Sequence, residues 1–236
     1  IFTSDNGGLS RGAPGKEKGK HNSNAGFRGS KAQIYEGGHR IPFIARWGNG
    51  KEGSPVEPNT TCDALIGLQD LFATFAKLTT QPVDERHGLD SQSFLDVMLG
   101  IKDAPRRKYL LVQANNGSFP GQQSKKMLRE DSWKLITTKE LVPIELYDLV
   151  QDPMESTDLL EEISQEKRVK RMREELVKIM QSKRSTLPYR ISRQKTPAVH
   201  AAELFSPRAT LLTKLKRIEK GKAVKWGRKF KITGES

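Results

Sequence analysis

The chain has 236 residues, enough to bury roughly 70% of the surface that its unfolded form exposes, so a substantial core is possible. Only 35% of residues are hydrophobic, and the formal net charge of +13 is unevenly placed: residues 1–160 carry 20 Lys and Arg against 20 Asp and Glu, whereas 161–236 carry 21 against 8. No run of 18 apolar residues exists to span a bilayer, the N-terminus lacks the pattern of a signal peptide, and a single cysteine, Cys62, excludes an intrachain disulfide.

The sequence opens on "IFTSDNGG", in which Ile1-Phe2-Thr3 reads as the end of a β-strand halted by Gly7-Gly8. Starting inside an apolar run without an initiator Met suggests a fragment. Residues 7–30, rich in Gly, Ser, Asn and Lys, carry no apolar period and read as a long loop, a feature uncommon unless functional. "IPFIARW", Ile41 to Trp47, reads as a strand buried on both faces, as in a parallel central sheet. From Asp63, expected as N-cap, to Leu78, apolar residues recur at three- and four-residue steps and predict an amphipathic helix.

"KYLLVQA", "DSWKLITT" and "IELYDL" predict strands of a smaller antiparallel sheet, with turn-rich "NNGSFPGQ" before the last two. The stretch from Asp152 to Lys183 predicts a long helix whose Leu159, Leu160, Ile163, Val169, Met172, Leu176, Ile179 and Met180 pack on that sheet. Beyond Ser185 the pattern weakens into a basic tail. The expected architecture is α/β, part of a mixed, mostly parallel sheet with helices, followed by the small antiparallel sheet on its helix and then the tail. The expected divisions are 1–105, 106–187 and 188–236.

Two constellations carry chemistry. Asp5 and Asn6 both present side-chain oxygen, which hard cations such as Ca²⁺ prefer. In isolation "DNGG" reads first as a tight turn, but a strand ends against it and a Gly-rich loop follows, and open α/β sheets bind ligands at the carboxyl ends of strands. The second constellation is "FRGSKAQIYEGGHRIPF", where Lys31 precedes Tyr35-Glu36-Gly37-Gly38. A lysine is ordinarily a solvated surface charge; paired glycines beside it let backbone approach a ligand closely. "GKEKGK" lacks the first glycine of a phosphate-binding loop, since Ser10 and Pro14 stand at the two places it would occupy.

"FTSDNGG", "GSKAQIYEGGHRIPFIARW" and "ELYDLVQDPMESTDLL", in this order, resemble the C-terminal half of the sulfatase family, in the alkaline phosphatase superfamily, over residues 1–187. The resemblance implies a Ca²⁺-dependent sulfuric ester hydrolase in which Asp5 and Asn6 are metal ligands and Lys31 holds a sulfate oxygen near the leaving group. It also implies a sulfate ester substrate, a sulfated polysaccharide among the candidates, and a periplasmic or extracellular address. The family's formylglycine nucleophile arises from Cys or Ser in a Cys/Ser-x-Pro/Ala-x-Arg motif. Cys62 begins "CDALI", with Ile66 where Arg is required, and is read as inert; no other segment completes the motif.

Ca²⁺ takes about 6–8 oxygen ligands, and Asp5 with Asn6 supplies two or three, so this chain alone is expected to bind metal weakly and turn over nothing. His21 and His39 are read as surface or packing residues, and Arg40 and Glu36 as structural partners that could also brace the lysine loop. Asn-x-Ser/Thr tripeptides at Asn59 and Asn116 are common by chance. Two other readings stay open. One is a non-catalytic polyanion-binding module using the tail's Lys214, Lys216, Arg217, Lys220, Lys222, Lys225, Arg228, Lys229 and Lys231 with Trp226 and Phe230; the other is a related phosphatase or phosphodiesterase.

Overall fold

The computed structural model describes residues 1–9, 23–83, 87–114 and 124–182. The basic tail, residue 116 and His21 lie outside them, as does the middle of the first loop. By contacts, residues 1–44 form one compact unit with 107–182, and residues 45–106 form another. The segment 1–105 expected as one piece is therefore divided: its first 44 residues belong with the small sheet.

The first unit begins with β1 (Phe2–Thr3), followed after a loop by α1 (Glu36–His39) and β2 (Phe43–Ile44). β2 pairs antiparallel with β1, Phe2 opposite Ile44 and Thr3 opposite Phe43. The run from Ile41 to Trp47 is thus neither parallel nor buried on both faces, since Ile44 is 60% and Phe2 65% exposed. Pro42, which has no N–H to give a ladder, precedes the two paired residues.

The second unit carries α2 (Asp70–Leu78) and α3 (Leu95–Met98). α2 starts six residues later than its apolar spacing suggests, with Gln69 rather than Asp63 at the N-cap position. Asp63 caps nothing and pairs with Arg106 at the surface, 2.8 Å apart. Asp70 takes the organising role instead: Oδ2 accepts the Gly67 N–H at 2.9 Å and Oδ1 the Gln92 N–H at 2.8 Å. Its inner face is Asp70, Thr74 and Leu78, leaving Phe72 and Phe75 exposed, because Thr74 Oγ1 accepts the Phe94 N–H and draws the α3 segment against that side. Leu78 then packs with Leu95 and Leu99.

The first unit resumes with four strands, β3 (Tyr109–Ala114), β4 (Lys125–Glu130), β5 (Trp133–Thr138) and β6 (Pro143–Asp148), in sequential antiparallel order. A 3₁₀ turn (Ile163–Gln165) leads into α4 (Glu166–Gln181). Residues 152–162, expected to be helical, are not. Asp158 Oδ1 accepts the N–H groups of Leu146 and Leu160, and Asp152 Oδ2 that of Thr157, and these side-chain bonds compete with a helix.

Strand periodicity divides the sheet residues between two covered faces. Leu128, Leu135 and Leu146 meet Met172 and Leu176 of α4 on one face, all five fully buried. Met127, Ile136 and Tyr147 meet Ile34 on the other, so the segment around α1 covers the sheet opposite α4. Register places Met127 opposite Ile136 and Leu128 opposite Leu135, so both layers are continuous across strands. Truncating Met172 to Ala should lower stability by about 2–5 kcal/mol, read from the urea unfolding midpoint.

Candidate functional site

The turn after β1 and the lysine segment are joined through backbone. The Lys31 N–H donates to the Gly8 carbonyl at 2.8 Å, and the Gly7 N–H donates to the Gly38 carbonyl at 3.0 Å. Asp5-Asn6, Lys31 and the Tyr35–Gly38 stretch are therefore held as one assembly although 25 residues separate the first from the second. The side chains of Asp5 and Lys31 are exposed and that of Asn6 is half-buried, with Nδ2 donating to the Gly7 carbonyl at 2.9 Å.

The paired glycines serve this assembly by letting backbone meet backbone. A Cβ added to Gly7 would fall 1.9 Å from the Gly37 oxygen, and one on Gly38 would fall 2.1 Å from the Gln33 oxygen. At Gly37 the nearest atoms are the carbonyl oxygens of Gly29, Arg28 and Phe27, 2.5–2.8 Å away. The close approach that the sequence suggests toward a ligand is thus, at these three positions, an approach of chain to chain.

Beneath α1 lies an ionic cluster. Glu36 and Lys134 are both 0% exposed, with Glu36 Oε1 3.0 Å from the Lys134 Nζ. Glu36 Oε2 lies 3.3 Å from Arg129 Nη1 and 3.7 Å from Arg40 Nη1. Glu155 closes the cluster from the loop after β6: Oε1 stands 2.7 Å from Lys134 Nζ, and Oε2 accepts the Glu36 N–H at 2.7 Å. Glu155 does so from a backbone φ of 57°, in the left-handed region.

His39 Nε2 stands 2.9 Å from the Ile34 carbonyl oxygen and 3.1 Å from Lys134 Nζ. With its proton Nε2 donates to the carbonyl; without it, Nε2 accepts from the ammonium.

Charge states follow from these surroundings. Burial opposes ionisation of Glu36, but the nearby Lys134 ammonium and Arg129 guanidinium hold its pKa below the usual carboxylate range. Burial raises that of Glu155. For His39, burial and then the Lys134 charge push the pKa down to about 4. A second cluster fixes the ends of the same segment: Arg28 stacks 3.8 Å from the Tyr35 ring centroid and donates to the Tyr147 hydroxyl at 2.8 Å, while Tyr35 donates to Glu145 at 2.9 Å.

Asp5 and Asn6 fit a hard cation in kind but not in number. Among the described residues, no group of three or more His, Cys, Asp or Glu side chains is gathered to hold a metal. Cys62 is exposed, in a stretch without regular structure. In the sequence Glu36 stands out only as a structural partner, and Lys134 and Glu155 belong to no motif. The available signal was Lys134 standing two residues before Ile136, on the same face of a strand whose four central residues are all buried.

The architecture is that of sulfatases. It resembles a solved Bacteroides thetaiotaomicron structure described under the metabolism of multiple glycosaminoglycans, with a TM-score of 0.54 and 32% identity, covering 68% of this chain and 33% of that one. It also resembles a 2-O glycosaminoglycan sulfatase in fold, with a TM-score of 0.51 and 19% identity over 64% of this chain and 32% of the other. Residues 27–182 match the family described as N-sulphoglucosamine sulphohydrolase, C-terminal. An N-acetylgalactosamine-6-O-sulfatase of Bacteroides thetaiotaomicron is 34% identical over 178 residues, 67% of this chain and 32% of the relative. The chain belongs to the sulfatase family, and the region it matches is C-terminal. It spans about a third of that relative's length.

Two outcomes test this site. Because the folded pKa of His39 lies below its ordinary 6.5, the unfolded chain binds the proton first, and stability should fall as pH drops from about 6.5 to 4, by up to about 3 kcal/mol. Urea midpoints across that window should show the slope in the wild type and a flatter one in His39→Gln. Substituting Gly7 by Ala should cost about 1–3 kcal/mol through overpacking against backbone that cannot rotate away, seen as a lowered thermal midpoint.

Proposed function

We propose that this chain supplies the calcium-and-lysine portion of a sulfuric ester hydrolase acting on a sulfated amino sugar of a glycosaminoglycan-type polysaccharide. The observation that carries the reading is the backbone pairing of Lys31 with Gly8, which brings the oxygen-bearing turn and an exposed ammonium into one assembly. Membership of the sulfatase family supports the reaction class, and the N-acetylgalactosamine-6-O-sulfatase relative supports the sugar.

In this reading Asp5 and Asn6 are two ligands of a Ca²⁺ whose other ligands come from elsewhere in the intact enzyme. Bound there, the cation would polarise the sulfate oxygens as a Lewis acid. Lys31 binds a sulfate oxygen and stabilises charge developing toward the leaving group. At ~4 Å and an effective dielectric near 20, an ammonium and a unit negative charge attract by about 4 kcal/mol before desolvation. The formylglycine nucleophile is likewise supplied by another part of the enzyme. Among the described residues no helix is long and apolar enough to cross a membrane, which is compatible with action on an external polysaccharide.

The test is hydrolysis of 6-O-sulfated N-acetylgalactosamine by the intact protein with and without Ca²⁺, alongside an aryl sulfate and an aryl phosphate. Sulfate esters should be cleaved in preference to the phosphate, chelation should abolish turnover, and Lys31→Ala should lower kcat by about 10²–10³ without loss of fold. Preference for phosphate, or full activity in Lys31→Ala, would overturn the reading.

A further inference from the structure

We propose that Glu36 and Lys134 are positioning residues for the sulfate site, a buried ion pair through which the four-stranded sheet fixes the backbone that presents Asp5, Asn6 and Lys31. The inference deepens the sulfate reading and relies on it for the purpose of those three side chains. The device itself stands on geometry.

Arg129 of β4 and Lys134 of β5 are direct cross-strand partners. Like charges so placed repel, and a sheet has no reason of its own to carry them side by side under cover. The opposite face of the same strands is lined with Leu128, Leu135 and Leu146, and apolar side chains would cover this face at least as stably, since replacing a buried ion cluster with hydrophobic residues is often neutral or stabilising. What the ions add is direction. Glu36 divides its two oxygens between the two cations, 3.0 Å from Lys134 and 3.3 Å from Arg129, which sets both the position and the rotation of α1 on the sheet. Glu155 grips Lys134 and the Glu36 N–H together, fixing the start of α1 by side chain and backbone at once.

From α1 two backbone bonds run outward to the site. The Gly38 carbonyl accepts the Gly7 N–H, which sets the turn after Asp5-Asn6. The Gly37 N–H donates to the Arg28 carbonyl at 2.7 Å, which sets the strand of chain leading to Lys31. The Lys31 N–H then closes the ring on Gly8. The Arg28–Tyr147 and Tyr35–Glu145 contacts hold residues 28 and 35, whose carbonyls accept the Gly37 and Gly38 N–H groups, and the ion pair adds the fixed point on α1 itself, at Glu36.

The experiment is amide hydrogen exchange by NMR on the whole chain, comparing wild type with Lys134→Met and with the shape-preserving Glu36→Gln. The Gly7 and Lys31 amides should exchange at least tenfold faster in both variants, relative to any change at Leu128 and Leu135 in the sheet centre. A purely structural role predicts one common factor at all four amides, and that result would overturn the proposal, as would absence of protection at Gly7 and Lys31 in the wild type. If Lys134→Met does not fold, Glu36→Gln decides; loss of the fold in both would show that the pair holds up the sheet itself and would also overturn it. Sulfate ester hydrolysis by the intact enzyme carrying Lys31→Ala reports on the sulfate reading alone. Full activity of Lys31→Ala with selective acceleration retains the device and removes the sulfate reading; lowered kcat with uniform acceleration does the reverse.

Discussion

A carboxylate with no exposed surface, set between two cations on adjacent strands, is the constraint from which the first unit takes its form. Isolated, the Glu36 charge would be prohibitively costly to bury, and the Arg129–Lys134 neighbours would repel. Brought together with Glu155 they satisfy one another, and the chain must fold so that a four-residue helix lies against the middle of a sheet. The glycines at 37 and 38 let the preceding loop close over that helix, because any side chain there would meet carbonyl oxygens of residues 27–33.

The sheet is thereby a platform covered on both sides, each cover combining an apolar cluster with ion pairs. Against α4 it is held by a fully buried apolar cluster together with one ion pair, in which the Arg171 guanidinium donates to both carboxylate oxygens of Glu130. Against the 28–39 segment it is held by charged contacts at defined distances as well as by the Ile34 cluster. The small sheet, far from an appendage, is the ground on which the candidate site stands.

Much of this was legible from residue patterns, and the failures have physical causes. β3, β5 and β6 announce themselves through β-branched and aromatic residues, while β4, "KKMLRE", does not, because its lysine and arginine side chains are accommodated by Glu145 and Glu36, residues distant in sequence. The apolar run around Phe43 reads as a buried strand, yet only two residues pair and one side chain points outward. α4 begins late because aspartates at 152 and 158 hold the preceding backbone in turns, a competition that apolar spacing does not register. The motif residues Asp5, Asn6 and Lys31 could be singled out by type and context. The ion cluster that supports their backbone could not, since its cost and its benefit both depend on burial, which is a property of the assembled fold.

Glu155 shows how far local preference can be overruled. A backbone twisted to φ 57° favours glycine or asparagine, and an ordinary side chain there carries a penalty of roughly 1 kcal/mol or more. A glycine would relax the chain and leave Lys134 with one counter-charge fewer and the first amide of α1 without its acceptor. Substitutions that improve the local conformation at this position should therefore weaken the whole, so that a search for stabilising changes guided by backbone angles alone would select the wrong residue.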